Sequence, residues 1–275
     1  MSIINLIFLF LLTSCGMGDF RDKSKLEGLR VLALTANTPE INSASTVTVT
    51  PLISYINGSG ASLDYSWEAC PDPGVDFGAD FNCDDSLSAL KLSGSGTFNT
   101  STLSASFFTG NSTDISLVIP AAVFTYLGTL NSDIQFNGLD YILFVKFLDS
   151  SKDISTSAFK KIKLSTKASG NLNTNPTFSG VQFNGNALTS YPSNKGTISI
   201  STASNPQSYS LVSSSGTKVF EEDMFFSWYS SDGKYLFDRT DVGENNDFTP
   251  DGGSGVFVIV YRDSRGGVAT STLSL

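Results

Sequence analysis

The chain has 275 residues and a formal net charge of −9, and 40% of its residues are hydrophobic. This length allows two domains of ordinary size, and the hydrophobic fraction excludes a chain that is disordered throughout. The acidic balance argues against nucleic-acid binding, because phosphate contacts need clustered Lys and Arg, and little beyond Lys160, Lys161 and Lys163 is clustered. The absence of histidine removes the commonest general base, the Ser-His and Cys-His nucleophile systems and the usual zinc ligand. We therefore expect a protein that is not an enzyme.

The first residues have the pattern of a targeting segment. An apolar run over residues 3–12, broken only by Asn5, leads into Leu12-Thr13-Ser14-Cys15, after which the chain becomes polar. A helix that spans a bilayer needs about 20 apolar residues, so this run is too short to span and has the length of a signal-peptide core. Residues 1–5 contain no Lys or Arg, although signal peptides usually begin with a basic segment.

The segment Leu12-Thr13-Ser14-Cys15 resembles a bacterial lipobox. The resemblance implies that residues 1–14 are a cleaved lipoprotein signal peptide and that Cys15 carries acyl chains such as palmitate. Residues 15–25 would then be the lipidated start and a polar tether. Gly16 follows the cysteine, and by resemblance to enterobacterial sorting we expect an outer-membrane location, facing the periplasm or the cell surface. The alternative is an ordinary cleaved signal peptide with an incidental cysteine.

The remaining cysteines, Cys70 and Cys83, form an even pair. The signal peptide would direct them to an oxidising compartment outside the cytoplasm. Such a pair predicts one disulfide, which would stabilise the fold by roughly 3 kcal/mol through closure of a short loop. The alternative is a two-thiolate metal site, although no histidine or further cysteine is left to complete four ligands.

Short segments with alternating apolar residues predict β-strands along most of the chain. In the strand that ends at Cys70, the apolar face includes Trp67, which predicts that Trp67 is buried. Residues 120–127 predict a short helical turn. Residues 168–176 carry no apolar pattern and predict a linker, and a second set of strands follows it. The expected organisation is therefore one domain over residues 26–167 and another over residues 177–275.

An internal repeat supports this division. The chain has two Trp, and the segment around Trp67 matches the segment around Trp228. Residues 144–150 align without a gap on residues 258–264, and residues 154–157 continue the match on residues 268–271. We therefore expect two copies of one domain type, each with one Trp in its core.

A single Trp on an early strand, a long apolar strand and a final hairpin are typical of an immunoglobulin-like sandwich. The repeat resembles the Ig-like and PKD-like modules of bacterial surface proteins, and residues 262–267 resemble the Asp-x-x-Gly-Gly hairpin that closes them. The order from lipobox to terminal hairpin is similar to tandem-domain lipoproteins of predatory and gliding bacteria. The resemblance implies an all-β fold with two tandem immunoglobulin-like β-sandwich domains, and it brings no catalytic residues.

Two acidic loops are candidates for calcium, which takes six to eight oxygen ligands. One loop lies around the cysteine pair and contains Asp72, Asp76 and Asp80, and the other contains Asp241, Glu244 and Asp247. Neither has the spacing of an EF-hand, and the alternative for both is a solvated connection. We expect no other cofactor.

Four aromatic residues could form an exposed sugar or partner site, two in the first acidic loop and two around Asp232-Gly233, but rings of this kind more often pack over the end of the core. They are Phe77, Phe81, Tyr229 and Tyr235.

Together these patterns predict a lipid-anchored envelope protein that binds or adheres to an unknown protein or glycan partner through Ig-like domains. The first alternative is a structural spacer subunit of an envelope complex, which would co-purify with fixed partners. The second is a carboxylate-dependent glycan hydrolase.

Overall fold

The computed structural model describes residues 23–55, 62–72, 83, 85–99, 107–108 and 114–275. Strands dominate this part of the chain, and the predicted all-β, immunoglobulin-like sandwich fold is confirmed. Cys15 and the predicted signal peptide lie outside the described residues. Among the residues described, no helix combines the length and apolar character needed to cross a bilayer.

The described residues of the first half form nine strands in two sheets. One sheet joins β1 and β3 and adds β6 and β7 along the far side of β3, and the other has the order β2-β9-β8-β4-β5. The strands are β1 (Leu29–Ala36), β2 (Glu40–Ile41), β3 (Ser45–Tyr55), β4 (Ser62–Pro71), β5 (Leu92–Asn99), β6 (Phe107–Phe108), β7 (Ile115–Ile119), β8 (Leu139–Asp149) and β9 (Ile154–Leu164).

Alternation places the core of the first half between these sheets. Val47 and Val49 of β3 face Val145 and Phe147 of β8, and all four are fully buried. The predicted helical turn is confirmed as the helix Ala121–Leu127, whose Val123 and Leu127 close one end of the core. Three further helical segments of the described chain are too short to show a helical period in the sequence: Asp85–Leu90, Ser132–Asn137 and Ser169–Asn171.

The second half contains eleven strands. One sheet has the order β17-β15-β19-β20, a second has the order β11-β10-β12-β18-β16, and β13 and β14 form a separate hairpin. The strands are β10 (Phe178–Phe183), β11 (Asn186–Ala187), β12 (Gly196–Ala203), β13 (Ser208–Ser213), β14 (Gly216–Glu221), β15 (Met224–Ser230), β16 (Lys234–Tyr235), β17 (Arg239–Asp241), β18 (Asn246–Thr249), β19 (Val256–Asp263) and β20 (Val268–Ser274).

The sheet register supports the internal repeat at its centre. Trp67 on β4 pairs with Val145 on β8, and Trp228 on β15 pairs with Ile259 on β19, which are equivalent positions in the alignment. The match does not continue in register beyond the turn, because Val145 pairs with Ala158 whereas Ile259 pairs with Ser271. Between equivalent paired positions the turn before β20 is one residue shorter, with five residues between Arg262 and Val268 and six between Leu148 and Ser155. One residue is enough to exchange the two faces of a strand.

The two tryptophans differ in burial. Trp228 is fully buried, and its indole Nε1 donates to Thr240 Oγ1 at 2.9 Å. Trp67 is only half-buried, so the expectation of a buried side chain holds only in part. Its ring lies across Gly94 of the neighbouring strand β5, at the edge of the sheet, where a Cβ atom on Gly94 would come 2.7 Å from the ring.

A third apolar cluster joins the two halves. Leu32 and Ala33 of β1 pack with Val258 and Val260 of β19 and with Val268 of β20. Among the described residues, each sheet belongs to one half, and one β-bridge, between Lys25 and Ser230, joins the two halves. The predicted boundary at residues 168–176 stays a prediction, because the halves share buried side chains across it.

Candidate functional site

The turn between β19 and β20 fastens the second half to the first. Arg262 donates from Nη2 to the Leu32 carbonyl oxygen at 2.6 Å, and Lys160 Nζ donates to the Gly266 carbonyl oxygen at 2.5 Å. The Asp263 carboxylate accepts from the backbone N–H groups of Arg265 at 2.8 Å and Gly267 at 2.7 Å, which fixes the turn. The hairpin motif found in the sequence therefore acts as a contact between halves as well as a turn.

Glu40 is the centre of this contact. Its side chain is fully buried, with ion pairs of 3.1 Å to Lys167 and 2.5 Å to Arg265 and a hydrogen bond of 2.7 Å from Ser165 Oγ. The backbone N–H of Asn173 adds a bond of 2.8 Å. Burial alone would raise the pKa of Glu40, but these hydrogen bonds and Lys167 outweigh it, so the pKa is lowered. Glu40 is thus ionised and satisfied by both halves and the predicted linker.

A groove of about 620 Å³ lies beside this contact. It contains the Lys160, Lys161 and Lys163 cluster seen in the sequence. Lys161 and Lys163 both pair with Asp140, while Lys167 and Arg265 both pair with Glu40. Carboxylates of the protein therefore already neutralise most of the positive charge in this groove. Its charged side chains serve the contact between the halves and leave little free charge for a ligand.

A smaller concave surface of about 330 Å³ has a different charge balance. We call it the junction patch, and its lining residues are Lys23, Arg30, Phe225, Ser227, Tyr229, Asp238, Arg239 and Arg262. Alternation along β15 creates it, since Phe226 and Trp228 enter the core while Phe225, Ser227 and Tyr229 lie on the opposite face of the strand.

Neighbouring strands supply the arginines of the junction patch. In the sheet register, Arg239 of β17 stands opposite Ser227, and Arg262 of β19 stands opposite Phe225. The first half adds Arg30 from β1 and Lys23 from the segment before it. The patch therefore exists only when the two halves are joined.

The three arginines of the junction patch contact neutral groups. Arg30 donates to the carbonyl oxygens of Lys25 at 2.7 Å and Lys23 at 3.1 Å, and Arg262 donates to Ser227 Oγ at 2.8 Å. The Arg239 guanidinium lies 3.3 Å from the centre of the Phe225 ring.

Within the described part of the chain, none of the four cations forms an ion pair with a carboxylate, in contrast to the larger groove. Asp238 is the one acidic residue in the lining. A guanidinium bound to neutral partners keeps its full charge and spare donors, so this surface can bind phosphate or carboxylate groups.

The structure joins Cys70 and Cys83 in a disulfide with a Cα–Cα distance of 6.0 Å. Both cysteines are buried at the end of β4. Both sulfur atoms are used in this bond, so neither is a free thiolate that could bind a metal ion.

The calcium predictions find no support among the residues described, where no group of three or more Cys, Asp or Glu side chains could hold a metal ion. Asp76 and Asp80 lie outside the described residues, and Asp72 is 3.8 Å from Lys161. In the second loop, Glu244 accepts from the Asp241 backbone N–H at 3.1 Å. Asp247 instead pairs with Lys195 at 3.3 Å, so these three carboxylates do not converge.

The four aromatic residues named as candidates for an exposed binding site have different outcomes. Phe77 and Phe81 lie outside the described residues. Tyr235 is buried among Trp228, Phe248 and Phe257, so it packs in the core, as such rings more often do, and it forms no exposed binding site. Tyr229 is half-buried in the junction patch, 5.7 Å from the Arg30 guanidinium.

Sequence reasoning missed the junction patch. Its four cations come from positions 23, 30, 239 and 262, and no local run of charge marks them. The one signal available was Arg262, within the hairpin motif already noted.

The fold and this surface define the chain as an all-β protein of the immunoglobulin-like sandwich class. No protein-family model matches it, and no curated protein does. Solved structures that match include two of Salmonella alpha-2-macroglobulin, a mutant at 10% identity and a methylamine-reacted form at 13%, each with a TM-score of 0.29. Another is dimeric latent PorU from Porphyromonas gingivalis, at 9% identity and a TM-score of 0.24.

These alignments cover 91%, 90% and 91% of the chain. They cover 16%, 16% and 24% of the matched structures, so the chain spans less than two thirds of each.

Proposed function

We propose that this chain is a lipid-anchored protein of the bacterial outer membrane that binds an anionic component of the cell envelope without catalysis. The lipobox-like segment ending at Cys15 supports the anchor, and the lack of histidine supports a non-enzymatic role. The observation that carries the proposal is the junction patch, where four cations have no carboxylate partner among the described residues of an acidic chain.

The contact between the halves makes this surface suitable for binding. Lys23 and Arg30 belong to one half and Arg239 and Arg262 to the other, so relative motion would separate them. The shared apolar cluster and the buried ion pairs of Glu40 oppose that motion. A preorganised set of charges binds with a smaller entropic cost than one that must assemble.

Two measurements test this proposal. The intact mass and membrane fractionation of the native protein, with and without Cys15→Ala, test the anchor: an unmodified Cys15 and a freely secreted protein would overturn it. A photo-crosslinking phenylalanine at Phe225, in living cells, tests the patch. The matched control is the same group at Phe220, which is 41% exposed on the hairpin of β13 and β14.

We expect a crosslinked envelope component at Phe225, absent at Phe220 and reduced by Lys23→Gln or Arg30→Gln. Equal products at both positions would contradict binding through the patch.

A spacer subunit of an envelope complex is the second candidate, and the rigid contact between the halves favours it. A spacer would co-purify with fixed partners and keep them when Lys23 and Arg30 are both changed to Gln. Loss of the partners in that double variant would favour binding through the patch.

A further inference from the structure

We propose that the junction patch docks on the phosphate headgroups of the membrane that holds the lipid anchor, so that the anchored protein has one fixed orientation. This inference rests on the proposed lipid anchor at Cys15. It goes beyond that function by naming the bound component and its source.

The position of the patch relative to the anchor is the first argument. Lys23 follows Cys15 by eight residues, and an extended chain of that length spans at most about 29 Å. The patch is therefore held within that distance of the membrane. Lys23 is one of the cations that line this surface, and it is also the first described residue after the anchor.

The start of the described chain is fixed beside the patch. Ser24 is buried, its carbonyl oxygen accepts from the Ser230 N–H at 2.9 Å, and the Leu26 N–H donates to the Ser230 carbonyl oxygen at 2.8 Å. The side chain of Arg30 holds the same segment through the carbonyl oxygens of Lys23 and Lys25. The chain thus leaves toward its anchor from the rim of the patch, which turns this surface toward the membrane.

The chemistry of the patch suits a phospholipid surface. Guanidinium groups bind phosphate oxygens through paired N–H donors, and Arg30, Arg239 and Arg262 stand around one depression. Phe225 and Tyr229 lie between them, and Tyr rings are favoured at the boundary between headgroups and acyl chains.

The charge of the patch itself, and not the net charge of the chain, determines whether an anionic membrane attracts or repels this surface. The whole chain carries −9, but charges farther than a Debye length, about 8 Å at physiological salt, are largely screened at the membrane surface. Four cations against Asp238 alone give the patch a local positive excess, which anionic lipid attracts. The anchor also supplies a high effective concentration, so a weak contact is enough.

The test uses the full lipidated protein in vesicles, with the photo-crosslinking phenylalanine at Phe225 or, as control, at Phe220. One set of vesicles is phosphatidylcholine with about a third phosphatidylglycerol, and the other is phosphatidylcholine alone. Mass spectrometry then measures the lipid adduct. We expect an adduct at Phe225 and not at Phe220, in larger yield on the anionic vesicles and reduced by high salt.

Charge variants separate docking from mere proximity. Lys23→Gln and Arg30→Gln should each lower the adduct yield at Phe225 about fivefold, the effect of one basic residue near an anionic surface. Lys218→Gln and Lys234→Gln remove exposed lysines elsewhere and should leave the yield unchanged. Trp228 fluorescence verifies that each variant is folded.

Three results would overturn the proposal. They are equal adduct on both vesicle types, equal adduct at both positions, and an adduct that the charge variants do not change. Absence of a lipid adduct at Phe225, together with binding of millimolar inorganic phosphate that Lys23→Gln or Arg30→Gln weakens, would also overturn it and would assign the patch to a soluble anion. If Phe225 crosslinks a non-lipid component in cells, membrane docking fails while the proposed binding function stands.

Discussion

The Glu40 carboxylate and the Arg265 guanidinium form a buried ion pair of 2.5 Å between residues 225 positions apart in the chain. Arg265 also pairs with Glu222 at 3.2 Å and stacks over Tyr209 at 4.8 Å. This one arginine from the final turn therefore connects Glu40 of the first half with Tyr209 of the β13–β14 hairpin and with Glu222, which follows that hairpin. This relationship determines how firmly the halves are held together.

Glu40→Gln should lower the free energy of unfolding by about 3–5 kcal/mol, because it leaves Lys167 and Arg265 buried without their counter-charge. Urea unfolding followed by Trp fluorescence measures this change. The control is Glu68→Gln, which breaks the exposed pair with Lys91 and should cost about 0–1 kcal/mol. Equal losses in the two variants would show that the buried network contributes no more than a surface pair.

The same carboxylate predicts acid sensitivity. The folded-state pKa of Glu40 lies below its ordinary value of 4.5, so its contribution is present above that value and is lost as pH falls through the folded-state pKa. The stability of the wild type should therefore fall below pH 4.5 more steeply than that of Glu40→Gln, as unfolding midpoints at several pH values would show. Parallel pH curves for the two proteins would contradict this assignment.

Lys160 predicts a second pH dependence, in the alkaline range. Burial lowers the pKa of its ammonium from 10.5 to about 8, with Asp263 opposing the change and Arg262 adding to it. Between these values the unfolded chain binds more protons, so this group makes stability rise with pH, by about 3 kcal/mol in total.

Lys160→Met should abolish the rise of stability between pH 8 and 10, whereas Lys234→Met, at an exposed lysine, should retain it. Denaturant unfolding at intervals of pH measures both variants against the wild type. A rise of the same size in Lys160→Met would show that other groups cause it.

Gly94→Ala should displace the Trp67 ring, because the new Cβ atom would lie 2.7 Å from Cε2 and Cζ2 of that ring. We expect a loss of about 1–3 kcal/mol and a shift in Trp emission, since overpacking forces the side chain from its position. Gly253→Ala is the control, as no atom lies within 4 Å of its added Cβ. An unchanged emission spectrum in Gly94→Ala would contradict the close contact.

Replacing both disulfide cysteines, as Cys70→Ser with Cys83→Ser, should cost roughly 3 kcal/mol, because the bond closes a loop with a sequence separation of 13 residues. Reduction of the wild type with dithiothreitol should give a similar loss, measured as the urea midpoint. A wild type whose stability is unaffected by reduction would show that the bond contributes little.

The sequence by itself determined the class of fold, the disulfide pair and the central strand pair of each half. Those features depend on local properties, since a period of two sets the face of each residue on its own strand and an even cysteine count sets the pairing. The same period placed Trp67 on an apolar face, but it could not show that this strand is next to the glycine-containing edge strand β5, where Trp67 is only half-covered.

Only the tertiary structure decided the surfaces between the halves. The alternation of residues along β15 predicts that Phe225 and Tyr229 lie on the opposite face from Trp228. It does not predict that β1 packs beside this face and places Arg30 next to them. Glu40 and Arg265 meet for the same reason, through packing of Leu32 and its neighbours against β19. Contacts between residues hundreds of positions apart depend on how finished sheets pack together, and neither the local pattern nor the net charge of the chain contains that information.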